Sequence, residues 1–266
     1  MIVDPRTVPI RYSNLKHIGR SPAHYIHAIN HPREDSGPLR IGRLVHWHIL
    51  GAMPDDEDGE IHVYDGDRRG KAWESFAAEH TGSEIVTAKE WAKAAPIADA
   101  VRNNAFAMSL IEGALCEQPI AWKIGSRACS SRPDAFKHYG ALVDLKTTND
   151  ASIVALQRMA QKMAYHAQAA MYRDALASIG VKTTESLIIA VETKAPYPVT
   201  VMRLTERRVD EGRRLYRSWY ETLRTCEDSD HWPAYTESVV SWDVSEWEEA
   251  DGPNDPEDAE EEEAAA

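Results

Sequence analysis

Residues Ser130 to Thr148 read SSRPDAFKHYGALVDLKTT, and they predict two short strands joined by a turn at residues 137–140. The first strand carries Asp134 near its end, and the second carries Asp144 and Lys146. Residues two apart on a strand share a face, so Asp144 and Lys146 point the same way while the residue between them points into the core. Pairing the strands as a hairpin brings Asp134 to the same exposed sheet edge.

Two carboxylates and an ammonium at one edge suit a hard divalent cation, because oxygen ligands favour Mg2+ or Mn2+. The lysine can then hold a water molecule or steady a charged phosphate. The competing interpretation is a solvated hairpin whose charges meet by chance, since Asp-x-Lys is a very common pattern. The hairpin therefore predicts a metal site only in company with other residues.

The composition indicates a globular protein. The chain has 266 residues, 43% of them hydrophobic, which is enough for one sizeable mixed domain or two small ones. No apolar run approaches the ~20 residues that span a bilayer, and the first residues lack the pattern of a signal peptide. The three cysteines form no Cys-x-x-Cys pair and are too few for a cluster held by four thiolates. We therefore expect a reduced, cytoplasmic protein with no membrane association.

The net charge of −13 is concentrated at the C-terminus. Residues 243–266 hold twelve acidic residues and no lysine or arginine, so the rest of the chain has a net charge of about −1. Residues 248–266 have the composition of a disordered acidic tail. A solubilising end is the simplest interpretation, and a segment that docks a partner or mimics DNA is the alternative.

Helical patterns dominate the first part of the chain. Ser13 can cap a short helix, and Ser21 followed by proline opens a second. From Leu39 to Leu50 the apolar residues follow helical spacing, which puts His46 beside the buried stripe. A lone histidine in that position is either a residue at the edge of the core or a ligand.

The remaining elements follow from the same patterns. They are a strand at Ile61–Tyr64, helices at Lys71–His80 and at Ala88–Glu112 with a break near Asn103, a strand at Leu115–Trp122, helices between Asn149 or Asp150 and Gly180, strands at Ser186–Val191 and Val199–Leu204, and a long helix from Thr205 to about Thr225. Glu117 lies in a strand that Pro119 marks as an edge or a bulge. It can add a carboxylate to the hairpin or be an ordinary surface residue.

Two helical surfaces can serve a site. Gln161, Tyr165, Gln168 and Tyr172 recur at helical spacing and form one polar and aromatic stripe, which is either a partly buried surface or part of a site. The last helix carries a row of arginines that can track phosphates or simply face solvent: Arg207, Arg208, Arg213, Arg214 and Arg217.

In its order of parts, the chain resembles the RecE-type exonucleases of phages and prophages. These belong to the PD-(D/E)xK nuclease superfamily and are related to the RecB nuclease domain. The resemblance runs from about Ser13 to Trp242 and is carried by Gly42-x-x-x-His46, Glu117, Arg132-Pro133-Asp134, Asp144-Leu145-Lys146, Tyr165-His166-x-Gln168-x-x-x-Tyr172, Gly212–Tyr216 and Trp232-Pro233.

The resemblance implies an α/β (α+β) fold with a central mixed β-sheet flanked by helices. It implies a single nuclease domain over residues 1–247, with a helical part at 1–112 and a catalytic core at 113–225. It also implies a Mg2+ site, where Mn2+ can substitute. Asp134 and Asp144 would be metal ligands, Lys146 would position a water molecule, and His46 and Glu117 would complete the site. Gln168 and Tyr172 would brace the site and contact the DNA strand.

Further residues are candidates for DNA contact. Arg132, Arg207 and Arg214 are candidates for a basic surface, since a nearly neutral body must concentrate its bases to hold phosphates. Arg6, Arg11 and Ser13 occupy the region in which related ring-shaped exonucleases bind a 5′-phosphate.

The activity that the resemblance implies is degradation of the 5′-ended strand of linear duplex DNA. The 3′ overhang would pass to a RecT-like single-strand annealing protein. The resemblance also implies a homo-oligomeric ring around DNA, for which we favour a tetramer over a trimer.

One alternative is a nuclease of other polarity or substrate, like the RecB domain or its CRISPR-associated relatives, although the latter are disfavoured by the missing cysteine cluster. Another is an inactive DNA-binding or scaffold protein, against which the intact Asp134, Asp144 and Lys146 argue.

Overall fold

The computed structural model describes residues 3–31, 35–51, 61–236 and 238–241. Residues up to Trp232 form one compact unit, and a second unit begins at Pro233. The described residues of the second unit form neither a helix nor a strand. The predicted acidic tail lies outside the described residues. No described helix has the length and apolar character needed to cross a bilayer.

The secondary structure alternates between helical and extended segments. The helices are α1 (Tyr12–Leu15), α2 (Pro22–Asn30), α3 (Gly37–Leu50), α4 (Gly70–Glu79), α5 (Ala88–Arg102), α6 (Ala105–Ile111), α7 (Ile153–Lys162), α8 (Tyr165–Ser178) and α9 (Glu206–Ser229). The strands are β1 (Ile61–Tyr64), β2 (Glu84–Thr87), β3 (Leu115–Cys116), β4 (Ile120–Ile124), β5 (Arg127–Ser131), β6 (Ala135–Phe136), β7 (Gly140–Thr148), β8 (Thr183–Glu192) and β9 (Val199–Leu204).

A five-stranded sheet forms the centre of the molecule, with the strand order β3-β6-β7-β8-β9. β7 and β8 run parallel, whereas the other neighbours in this sheet are antiparallel. The sheet is therefore mixed, as predicted. Two smaller pairs accompany it: β1 with β2 in parallel, and β4 with β5 as an antiparallel hairpin.

Both faces of the central sheet are covered by helices. Leu142 and Ile188 belong to a buried cluster with residues of α1, α2, α8 and α9. Their neighbours Val143, Leu145 and Ile189 belong to a second cluster with residues of α3, α5 and α6. A strand buried on both faces is apolar along its length, which explains the unbroken apolar run of β8. The predicted fold, a mixed sheet flanked by helices, is confirmed.

The hairpin exists but is much shorter than predicted. β6 is two residues long, while Ser130 and Ser131 belong to β5 and pair with β4 instead. β7 is an interior strand of the sheet, so the predicted exposed edge is wrong. Asp144 is only 8% exposed, because α8 covers its face of the sheet.

Several element boundaries also differ from the prediction. Ser21 caps α2 as predicted, but Ser13 lies inside α1, which begins after Arg11. The residue before α7 is Ser152 rather than Asn149 or Asp150. These shifts move a helix start by a few residues without changing the order of elements.

Two predicted continuous elements are broken in the structure. The polar stripe is divided by Ala164, which has a positive φ of 52° and separates α7 from α8. Gln161 therefore lies on α7, apart from the rest of the stripe on α8. The predicted strand Leu115–Trp122 is divided into β3 and β4, which belong to different sheets. β2 is an element that the sequence did not predict.

Candidate active site

The site forms where β6 and β7 separate. Their pairing ends at Ala135 opposite Val143. Two further steps of the same register would set Pro133 opposite Leu145, and a proline has no N–H to donate to the ladder. The side chain of Asp134 takes the place of the missing strand: its Oδ2 accepts a hydrogen bond of 2.6 Å from the Leu145 N–H.

His46 occupies the other half of the same gap. Its Nε2 donates to the Leu145 carbonyl at 2.9 Å, and because a carbonyl only accepts, this bond requires the proton to be on Nε2. Nδ1 is then directed at the carboxylates, 3.6 Å from Glu117 Oε1 and 3.9 Å from Asp134 Oδ2. α3 can carry His46 this close to β7 because Gly42 lies one turn earlier, where a Cβ would stand 3.3 Å from the Thr147 hydroxyl.

Glu117 is turned into the site by an unusual backbone conformation. Its φ is +51°, a left-handed value that non-glycine residues seldom adopt, and it lies at the break between β3 and β4. Its N–H donates to the Asp134 carbonyl at 3.0 Å, which fixes the two acidic residues to each other. Strained conformations of this kind persist where the surrounding structure holds them, and they cluster at functional sites.

Asp144 and Lys146 complete the centre from β7. Lys146 Nζ lies 2.7 Å from Asp144 Oδ2. The second oxygen of Asp144 and Oε1 of Glu117 are buried, and neither has a hydrogen-bond partner in the described chain. A buried carboxylate oxygen without a partner costs free energy, so both oxygens call for a proton, a water molecule or a cation.

The charges of the centre fit a divalent cation. Glu117, Asp134 and Asp144 contribute three negative charges and Lys146 one positive charge, so neutral His46 leaves two negative charges uncompensated. Ligand atoms of His46, Glu117 and Asp134 all lie within 4.8 Å of one another. One imidazole and a set of carboxylates are donors that Mg2+ or Mn2+ accepts. The structure therefore groups three of the four predicted metal ligands, His46, Glu117 and Asp134, whereas the fourth, Asp144, is not part of that group.

The pKa directions agree with this charge balance. Burial raises the pKa of Asp144 to about 6, with the Lys146 ammonium opposing the shift and Asp134 adding to it. Burial lowers the pKa of Lys146, but Asp144 and Asp134 outweigh it and raise that pKa well above its usual range. Burial likewise opposes the protonation of His46, yet Asp134 and Glu117 raise its pKa overall. All three shifts favour the protonated form of the group, as expected of a centre with excess negative charge.

Helix α8 supplies a third wall. The Tyr165 ring lies 5.2 Å from Lys146 Nζ, and Gln168 Nε2 donates to the Tyr172 hydroxyl at 3.2 Å. Burial raises the pKa of Tyr172 above its usual range, and the negative charges of Asp134 and Asp144 add to the shift. Gln168 and Tyr172 thus lie beside the centre, where the resemblance places them.

Tyr12 is a neighbour of the site that the sequence did not single out. Its hydroxyl donates to the carbonyls of Met163 and Ala164 at 3.0 and 2.7 Å, at the left-handed turn that begins α8. Burial, followed by the charge of Asp144, raises its pKa above the usual range. Nothing in the local sequence marks this residue, because its role depends on a contact with residues about 150 positions away.

The predicted DNA-contacting arginines are only partly available. Arg207 and Arg208 pair with Glu211, and Arg213 and Arg217 pair with Asp174. Arg132 and Arg214 have no acidic partner in the described part of the chain; Arg214 is exposed and Arg132 is half-buried.

The predicted 5′-phosphate region is divided between two places. Arg6 donates to the Glu227 carbonyl and to Asp230 at the end of α9. Arg11 and Ser13 are exposed and flank Tyr12, which lies beside the candidate metal centre. Arg6 is therefore already engaged in contacts within the protein, whereas Arg11 and Ser13 are accessible.

A mixed sheet, a Pro-Asp pair directly before β6 and a buried Asp-x-Lys strand together define a nuclease fold of the PD-(D/E)xK class. Residues 12–243 match the model of a family described as a PDDEXK-like domain of unknown function, DUF3799. The chain belongs to this family, and its predicted place in the superfamily is confirmed. None of the curated protein sequences matches the chain.

Solved structures with similar folds include several exonucleases. A presumptive exonuclease from Eubacterium rectale has a TM-score of 0.59 and 12% identity, covering 91% of this chain and 92% of that chain. A phage-related exonuclease from Haemophilus somnus 129PT has a TM-score of 0.36 and 11% identity over 84% and 97% of the two chains. An alkaline exonuclease from Laribacter hongkongensis has a TM-score of 0.32 and 14% identity over 60% and 84%. At these identities, the likeness to the first of them shows the fold alone.

Proposed function

We propose that this protein is a Mg2+-dependent DNA exonuclease of the RecE type. It would degrade the 5′-ended strand of linear duplex DNA and leave a 3′ single-stranded overhang. The observation that carries the proposal is the pair of buried, unpartnered carboxylate oxygens on Glu117 and Asp144, together with the Lys146 ammonium paired to Asp144, in a PD-(D/E)xK fold. The fold shared with the presumptive exonuclease from Eubacterium rectale supports it.

The residues of the centre suggest how hydrolysis would proceed. A divalent ion would be held by Glu117, Asp134, Asp144 and His46, and it would supply Lewis-acid stabilisation of the phosphate and acidify a water molecule. Because its pKa is raised, Lys146 stays protonated at neutral pH and is unsuited to be a general base. Its ammonium would instead donate a hydrogen bond to the water or to a phosphate oxygen. Tyr165 and Asp144 hold that ammonium in place.

The polarity and the biological setting are also proposals. A 3′ overhang is the substrate of single-strand annealing proteins, so we expect a RecT-like partner to receive the product. The site of action would be the cytoplasm of the bacterial host. Each of these points follows from the resemblance of motifs rather than from a contact in the structure.

One experiment tests the activity and its polarity together. The purified protein is incubated with Mg2+ or Mn2+ and either linear duplex DNA, each strand of which is labelled at one end, or covalently closed duplex DNA. We expect loss of the 5′ label from linear DNA, no attack on closed DNA, and no reaction in EDTA. Asp144→Asn serves as the control for contaminating nucleases. Cleavage of closed circles would contradict exonuclease action, and early loss of the 3′ label would contradict the polarity.

A further inference from the structure

A groove opens beside the active site at the end of β7. Its volume is about 780 Å3, and its walls come from the start of α3, the first turns of α5, α7 and the loops that follow β7 and β8. Thr147 and Thr148, which come directly after Lys146, lie in its wall. Clefts that bind ligands typically measure roughly 300–1,000 Å3. The groove is therefore large enough for a ligand and shares a strand with the candidate catalytic centre.

Lysines line this groove. Lys89 and Lys93 lie on α5, and Lys194 follows β8; all three are exposed. Lys89 is paired with Asp67 at 2.9 Å. Lys93 and Lys194 have no acidic partner in the residues that the structure describes. Two ammonium groups are thus available to an incoming anion.

The acidic residues of the groove do not cancel this charge. Glu90 is half-buried and accepts hydrogen bonds from Arg40 and Arg68, so its charge is already compensated. Asp150 accepts a hydrogen bond from the Ser152 N–H and adds one exposed negative charge at one side. The helix α9 differs in this respect, because most of its arginines are paired with acidic residues of the protein itself.

The floor of the groove is apolar. It is formed by Pro38, Ile41, Ala155 and Met159. Nucleic acids present both kinds of surface at once: phosphates seek lysine, while the faces of unpaired bases lie against apolar or aromatic side chains. A duplex hides its base faces, so an apolar floor favours a single strand.

We propose that this groove binds a short single-stranded segment of DNA that continues from the active site. Lys93 and Lys194 contact its phosphates, and its bases lie against the floor around Ile41 and Met159. The inference extends the proposed nuclease function by assigning the path of the strand next to the scissile phosphate. The lysines of the groove supply positive charge to a chain that is nearly neutral outside its acidic C-terminal residues. The arginines of α9 supply less, because most of them are paired with acidic residues of the protein.

The test is a binding measurement that needs no hydrolysis. A fluorescein-labelled oligothymidine of twelve residues is titrated with the full chain carrying Asp144→Asn, and the anisotropy is followed at several salt concentrations. In this background the double variant Lys93→Gln/Lys194→Gln should bind at least tenfold more weakly. The plot of log affinity against log salt should also become less steep by about 1.4 for the double variant, since each phosphate contact with a single strand contributes about 0.7 to the steepness.

The matched control removes the same charge elsewhere. Lys123 on β4 and Lys182 before β8 are exposed. Lys182 precedes Thr183, which pairs with Gly140 at the end of β7 opposite to Thr148. The double variant Lys123→Gln/Lys182→Gln should bind within twofold of its parent. Equal losses in both double variants, or no loss in either, would overturn the proposal. Competition by an acidic peptide as effective as unlabelled oligothymidine would also overturn it, in favour of a protein partner.

The two proposals can fail separately. If the wild-type chain hydrolyses no DNA but the groove variant still loses binding selectively, the exonuclease assignment falls and the groove stands. If the wild-type chain digests linear DNA while the groove variant binds normally, the exonuclease assignment stands and the groove is wrong.

Discussion

At the scale of single residues, the candidate centre is a buried cluster whose charges do not cancel. Its three carboxylates face one ammonium and one imidazole, and two carboxylate oxygens are left without partners. Burying charge is costly unless it is paired, so such a cluster is stable only with protons or a cation in place. The protein therefore holds this centre at some expense of stability, as functional sites often do.

Substitutions of Asp144 and Lys146 should differ in their effect on the stability of the folded protein. Both Asp144→Asn and Lys146→Ala are expected to lower the rate of DNA hydrolysis by at least a hundredfold, because one changes a metal ligand and the other removes the local ammonium. Lys146→Ala should also destabilise the protein, by about 1–3 kcal/mol, since it leaves the buried Asp144 carboxylate beside Asp134 without its hydrogen-bonding counter-charge. Urea denaturation at pH 7 measures this difference.

The same pair offers a control. Asp144→Asn combined with Lys146→Met removes both charges and should recover most of the stability, while activity stays low. A Lys146→Ala variant as stable as the wild type would show that the pair contributes little, and activity near the wild-type rate would refute the role of either residue.

Divalent metal should stabilise the folded protein even without DNA. A ligand that binds only the folded state adds RT ln(1 + [L]/Kd), about 2.7 kcal/mol at a hundredfold excess over Kd. We expect Mn2+ or Mg2+ to raise the midpoint of thermal unfolding of the wild type by several degrees. Glu117→Gln should reduce that shift sharply, because Glu117 supplies one of the two unpartnered oxygens. An equal shift in wild type and variant would place the metal elsewhere.

At the scale of elements, the site depends on how closely its helices approach one another and the sheet. α8, which carries Tyr165, Gln168 and Tyr172, packs on α9 with almost no space at Gly212. A Cβ there would lie 2.1 Å from the carbonyl oxygen of His166. The position of the α8 wall is therefore set by a contact between helix backbones.

Gly212→Ala tests this contact. The added methyl group cannot be accommodated by a side-chain rotation, so α8 must move, and we expect a loss of about 1–3 kcal/mol of stability together with lower activity. Gly37→Ala is the control, since a Cβ at Gly37, at the start of α3, has no atom within 4 Å. Chemical denaturation compares the two. Equal stability of both variants would contradict the close packing of α8 on α9.

The junction of β2 and α5 should make stability depend on pH. Burial raises the pKa of Glu90, but hydrogen bonds from Thr87, Arg40 and Arg68 outweigh it and lower that pKa to about 2. A depressed folded-state pKa contributes stability above the unfolded value of about 4.5, and this contribution is lost as pH falls toward 2. Glu90→Gln should thus cost about 1–3 kcal/mol at pH 7, and the cost should shrink below pH 4.5. Denaturation curves at pH 7, 5 and 3.5 check the trend, which a constant difference would refute.

The sequence predicted elements well where their signal is local. The helical spacing around His46, the cap at Ser21 and the arginine-rich last helix all depend on neighbouring residues. It failed where a partner distant in sequence decides the outcome. The hairpin is short because Pro133 cannot extend the ladder toward Leu145, and the interior position of β7 depends on its pairing with β8. Ion pairs across α8 and α9 could not be read from the arginines alone.

At the scale of the whole molecule, the question is how a body of nearly neutral charge stays on DNA. Affinity for phosphates comes from lysine and arginine contacts and weakens steeply with salt. The described structure offers the lysines of the groove together with Arg132 and Arg214, but most of the arginines on α9 are paired internally. A body without an excess of positive charge, whose most arginine-rich helix is largely paired internally, would benefit from an additional means of retention.

A closed ring would provide it, because an enzyme that encircles DNA cannot dissociate sideways. We predict a cyclic homo-oligomer with head-to-tail interfaces, a tetramer in preference to a trimer, with the active sites facing the central channel. Light scattering with in-line chromatography at micromolar concentration measures the mass of the assembly. A monomer that still digests kilobases in each encounter would refute the ring and require another form of clamp.

The bond between Asp134 and the Leu145 N–H also has a spectroscopic consequence. In an ordinary strand, that amide would exchange with solvent at a rate set by the opening of its neighbour strand. Here its protection depends on a carboxylate that also faces the metal position, so the exchange rate and chemical shift of one backbone proton follow the occupancy of the centre. The Leu145 amide can therefore report metal binding in NMR spectra without an added probe.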